Sequence, residues 1–82
     1  MKPYIEIRLY PQIQALATNI DYYDRKGELT KSTDTRYLVD HIYEIILPIM
    51  EQNPKHDITV RMNGKQLDLS QIEQSYYDCM NQ

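Results

Sequence analysis

Residues 4–10 alternate, with Ile5, Ile7 and Leu9 on one side and Tyr4, Glu6, Arg8 and Tyr10 on the other. That period of two is the signature of a strand with one buried face. Pro11 is expected to end it. The next stretch fits two templates: Ile13, Leu16, Ala17 and Ile20 match a helical stripe, whereas Leu16, Thr18, Ile20 and Tyr22 match a strand. The β-branched and aromatic residues from Ala15 onward favour the strand. Asp24-Arg25-Lys26-Gly27 then reads as a type I turn closed by a glycine at positive φ, with the chain returning through Glu28-Leu29-Thr30.

Ser32, Thr33 and Asp34 offer N-caps to a main helix whose stripe is Leu38, Ile42, Ile45, Ile46 and Ile49. Pro48 removes one donor from that helix and predicts a kink near Ile46 or Leu47, and Asn53-Pro54 ends it. The clearest local signal is Asn63-Gly64, the preferred centre of a two-residue type I′ turn. It would pair Met62 with Lys65, Val60 with Leu67 and Ile58 with Leu69. Ser70 and Glu73 then form a capping box for a short C-terminal helix carrying Ile72, Tyr76, Cys79 and Met80.

The expected architecture is therefore a single compact α+β domain over residues 1–82. A mostly antiparallel sheet of four to five strands would carry one long kinked helix and a short C-terminal helix on one face. The order of strand, hairpin, helix and strand resembles the β-grasp of ubiquitin, and Gly64-Lys65-Gln66-Leu67-Asp68 resembles its Gly-Lys-Gln-Leu-Glu turn. The layout also resembles the DinI-type small regulators that bind the RecA recombinase. No terminal Gly-Gly is present, so no conjugating activity is expected from the first likeness.

Composition narrows the function classes. Nine basic against twelve acidic residues leave a net charge of −3, which disfavours general binding to phosphate backbones. The lone Cys79 cannot close an intrachain disulfide, and a reducing cytoplasm is the expected compartment. Charges interrupt the N-terminal segment and the longest apolar run, Ile45 to Met50, is too short for a bilayer, so neither a signal peptide nor a membrane anchor is expected. The two glycines serve turns and leave no phosphate-binding loop. His41 and Glu44 stand three apart on the main helix beside Asp40, but two ligands make no site without a third. Cys79 near a helix C-terminus meets a dipole that disfavours its thiolate. No catalytic residue, metal or cofactor is assigned, and the chain is expected not to be an enzyme.

Surface character carries the rest. Eight tyrosines with no Phe or Trp give rings suited to the rim of a core or to a binding surface. Asp40 and Glu44 on the main helix, with Asp68, Glu73, Tyr77 and Asp78 towards the C-terminus, form an acidic, Tyr-bearing set expected to dock on a protein partner with a basic surface. An inhibitor or regulator of nucleic-acid-handling machinery, of the kind phages and mobile elements encode, fits that set. One alternative is a nucleic-acid accessory factor using Tyr22, Tyr23, Arg25, Lys26, Lys31 and Arg36. The other is a homodimer that pairs through the first strand, Tyr4, Glu6, Arg8 and Tyr10, if that strand lies at a sheet edge.

Overall fold

The structure is a computed structural model that describes residues 2–39, 41–72 and 74. Three strands come first: β1 (Tyr4–Gln12), β2 (Ala15–Tyr23) and β3 (Leu29–Tyr37). The helix α1 (Tyr43–Gln52), β4 (Asp57–Met62) and β5 (Lys65–Leu67) follow, and a second helix begins at residue 69. The sheet has the order β3-β2-β1-β4-β5. The α+β class holds, with five strands, but the expectation of a mostly antiparallel sheet is corrected: the sheet is mixed. After three strands that fold back and forth, α1 carries the chain to the far side of β1, and β4 enters there parallel to β1 with Ile7 opposite Val60. A helical crossover is what a parallel pairing needs.

Ile5, Ile7, Leu9, Leu16, Ile20 and Val60 line one sheet face and meet Ile45, Ile46 and Ile49 of α1 together with Ile72. Ile5, Ile7, Leu9, Ile46 and Val60 are wholly enclosed. The alternation seen in residues 4–10 is therefore a true inward and outward pattern.

Several expectations need correction, each for a local reason. Pro11 lies within β1, opposite Leu16, rather than ending it. β4 stops opposite Leu9, so the side of β1 to which residue 11 would direct an N–H has no strand to receive it. A proline there sacrifices no ladder bond. Ser32, Thr33 and Asp34 are not helix caps but residues of β3, paired with Asp21, Ile20 and Asn19 of β2. The helix accordingly starts later than expected, and Leu38, assigned to its apolar stripe, is 79% exposed. Helix α1 runs unbroken through Pro48. That proline is exposed, as is Glu44, whose carbonyl loses its helical donor.

The Asn63-Gly64 turn forms as expected, with φ of 51° and 82° and with Met62 opposite Lys65 and Val60 opposite Leu67. The expected third pair, Ile58 with Leu69, does not form, because β5 ends at Leu67. Asp68 takes over as a cap: its Oδ1 accepts the Ser70 backbone N–H at 2.9 Å and the Ser70 hydroxyl at 2.6 Å. The cap of the second helix is thus Asp68 rather than Ser70, and Glu73, the other half of the expected box, lies outside the described residues.

Candidate functional site

A strand sends alternate side chains to opposite faces, so the register fixes what lies on the face away from α1. Tyr4, Glu6, Arg8 and Tyr10 of β1 stand there beside Tyr23, Asp21, Asn19 and Ala17 of β2. Ser32, Asp34 and Arg36 of β3 continue those rows, and Arg61 of β4 lies opposite Arg8. No described element covers this face.

The register places like charges directly opposite one another twice, Glu6 against Asp21 and Arg8 against Arg61, an arrangement that is destabilising unless bridged. It is bridged diagonally. The Arg8 guanidinium donates to Asp21 and to the Asn19 side-chain oxygen and lies 3.5 Å from Glu6, while Arg61 Nε lies 3.9 Å from Glu6. The network extends to β3, where the Ser32 hydroxyl donates to Asp21 Oδ1 at 2.5 Å and Asn19 Nδ2 donates to Asp34 Oδ1 at 2.5 Å.

Asp21 is the anchor of this face, with only 6% of its surface exposed. The Ser32 hydrogen bond holds its carboxyl below the usual range, opposed by desolvation and reinforced by Arg8. Arg8 is held above its ordinary value by its bond to Asp21. At one end of the face the Tyr4 and Tyr23 rings stack, with centroids 4.4 Å apart and planes at 12°. Loss of solvent, then the negative charges of Asp21 and Glu6, push the Tyr23 phenol up. Tyr10, 46% exposed, stands at the other end beside an open cleft lined by Asn19, Asp34 and Arg36.

The sets named from sequence fare differently. Of the acidic docking set, Asp40, Glu73, Tyr77 and Asp78 lie outside the described residues. Glu44 accepts the His41 backbone N–H at 3.3 Å, and Asp68 is engaged by Ser70, which lowers its pKa. Both carboxylates therefore serve helix starts. The His41 ring stacks on Tyr43, 5.0 Å between centroids, and among the described residues no three His, Cys, Asp or Glu side chains gather to hold a metal. Cys79 lies outside the described residues.

The first strand is not an edge. β1 is central, bonded to β2 on one side and β4 on the other, so Tyr4, Glu6, Arg8 and Tyr10 cannot recruit a second chain through their backbone. The six residues of the nucleic-acid set do not converge either. Lys31 lies 5.4 Å from the Tyr22 ring on the α1 side, whereas Tyr23 and Arg36 occupy the open face near opposite ends of β2 and β3. Arg25 instead joins Lys2, Lys55 and His56 around a cleft of about 520 Å³, and His56 Nδ1 is enclosed with no hydrogen-bond partner among the described residues. No family model, curated protein or solved structure matches this chain. Among the described residues no helix is long and apolar enough to cross a membrane.

Sequence reasoning missed Asn19, Asp21, Ser32 and Asp34 as site residues. The signal was present in the alternation Asn19-Ile20-Asp21-Tyr22, but it needed the β2–β3 register to become a surface.

Proposed function

We propose that this chain is a non-enzymatic protein-interaction module that engages a protein partner through the uncovered face of its sheet. The observation that carries this reading is the ordering of that face. Arg8, Asn19, Asp21, Ser32 and Asp34 are held by one another, flanked by the Tyr4–Tyr23 stack and the exposed Tyr10. Side chains already held in place lose little entropy on docking, and tyrosines supply contact area with a hydrogen-bonding tip. The charges on the face balance, Glu6, Asp21 and Asp34 against Arg8, Arg36 and Arg61. Specificity would therefore come from geometry, while the overall charge of −3 would favour encounter with a basic partner such as nucleic-acid-handling machinery.

The test is affinity capture from a cell lysate, with and without nuclease, comparing the wild type with the double variant Tyr10→Ser/Arg61→Glu. Both side chains are about half exposed, so the variant should keep its melting temperature. The expected result is a protein captured regardless of nuclease and retained at least tenfold less by the variant. Equal retention by both forms would contradict the reading.

A second reading rests on the cleft formed by Lys2, Arg25, Lys55 and His56, which would suit a phosphate-bearing ligand. Under it a single-stranded oligonucleotide binds with an affinity that falls as salt rises, and Arg25→Glu/Lys55→Glu abolishes the binding.

A further inference from the structure

The two edges of the sheet differ. β5 has three residues and β3 has nine, and no described residue pairs with the outer side of β3. Which of its backbone groups face outward follows from the rest of the sheet. Asp57 N–H donates to the Pro3 carbonyl and Asn63 N–H to the Leu9 carbonyl, so odd-numbered residues of β1 bond to β4 and even-numbered ones to β2. Carrying that alternation through the registers turns Lys31, Thr33, Thr35 and Tyr37 towards β2. The N–H and C=O groups of Ser32, Asp34 and Arg36 then point away from the sheet, where only water or another strand can satisfy them.

Natural sheets protect long edges with prolines, bulges or charges. β3 has no proline, and its bulge is confined to Thr30, where Tyr22 faces Lys31 but Tyr23 faces Leu29. The charges of Lys31, Asp34 and Arg36 are of mixed sign. Among the described residues, two of the four exposed large hydrophobic side chains stand at its ends, Leu29 opening the strand and Leu38 following it.

We propose that β3 pairs antiparallel with β3 of a second copy of this chain, joining the two sheets across a twofold axis at Thr35. The register is chosen by the outward groups and the charges. Only even-numbered residues can exchange backbone bonds across the edge. Placing Asp34 opposite itself sets like charges together, and registers centred nearer the N-terminus of β3 run into the bulge at Thr30. With Thr35 on the axis, Asp34 of each copy faces Arg36 of the other, Thr33 faces Tyr37, and Ser32 faces the exposed Leu38. The same patch serves both copies, as a twofold interface requires, and both ion pairs lie on the open face. The dimer presents two open faces side by side and does not depend on what the partner of those faces is.

Sedimentation equilibrium on the purified chain tests this, over concentrations reaching roughly 1 mM, the weak end of specific association. The wild type should approach twice the monomer mass. Asp34→Arg and Arg36→Asp should each weaken dimerisation at least tenfold, because each sets like charges opposite one another at both contacts. An equimolar mixture of these two variants should dimerise again, since each then supplies what the other lacks, and the double variant Asp34→Arg/Arg36→Asp should dimerise by itself. A misfolded variant would not be rescued by mixing, so recovery separates pairing from damage. A wild type that stays monomeric throughout would overturn the proposal. So would a dimer indifferent to both reversals, or reversals that mixing does not rescue.

Discussion

Replacing Asp21 by alanine removes the carboxylate on which the open face converges. The side chain accepts from the Ser32 hydroxyl and the Arg8 guanidinium at a site only 6% exposed. Both bonds end on an ionised carboxylate, and a hydrogen bond to a charged group contributes about 1.5–3 kcal/mol. The loss is moderated because the Arg8 side chain is 32% exposed and retains Glu6 at 3.5 Å, so it is not stranded in a dry site. The net destabilisation works out at about 2–3 kcal/mol, or a fall in melting temperature of roughly 8–24 °C for a domain of this size. Urea unfolding followed by far-ultraviolet circular dichroism measures it at pH 7. The folded carboxyl titrates below the ordinary value of 3.8, so its contribution is complete above that pH and is lost as pH falls through the lower folded value. The gap between wild type and variant should therefore be constant from neutral to mildly acidic pH and narrow in stronger acid. A double-mutant cycle with Ser32→Ala should return a coupling of about 1.5 kcal/mol, the lower end for a bond to a charged group. A loss under about 0.5 kcal/mol at pH 7, or a gap that acid leaves unchanged, would refute the view that Asp21 organises this face.

Three further substitutions probe the framework. Gly64→Ala meets no atom within 4 Å but must hold φ at 82°, so it should cost about 1 kcal/mol through backbone strain alone, read as a drop in urea midpoint. Pro48→Ala restores a donor to the Glu44 carbonyl in an exposed helical turn. Interior proline is about 3 kcal/mol worse than alanine in a helix, and the greater freedom of the unfolded variant offsets about 1 kcal/mol of that, so thermal melts should show a net gain of about 1–2 kcal/mol. Asp68→Ala removes the cap of the second helix and should lower helical circular dichroism at neutral pH. In the wild type that signal should fall as pH drops through the depressed pKa of Asp68, and in the variant it should not.

Local chemistry made part of this molecule legible and long-range pairing made the rest. β1 was readable because Ile5, Ile7 and Leu9 alternate against polar neighbours, and the β4–β5 hairpin because Asn63-Gly64 demands positive φ at both positions. Ser32, Thr33 and Asp34 misled because the same small polar side chains that cap helices also suit a solvated edge strand. What decides between those roles is Asp21, eleven residues before Ser32 in sequence yet bonded to it in space. Leu38 extended the apparent helical stripe only because its spacing matched, although no described residue buries it. The central position of β1 could not be read locally either. It depends on β4 returning alongside β1 after α1 rather than beside β3, a choice made by burial of Ile58 and Val60 against Ile5 and Ile7. Once that order is known, the edge moves from β1 to β3, and the tyrosines and charges of β1 become the middle of an open face.

Site-specific photo-crosslinking tests the claim that this open face is the docking surface most directly. A photo-reactive phenylalanine analogue is placed at Tyr10, on the open face, and in a second protein at Glu51, exposed on α1, the opposite side of the sheet. Illumination with the captured partner should give a covalent adduct from position 10 and none from position 51. Adducts from position 51 alone would contradict the account and move the docking surface to the helical side.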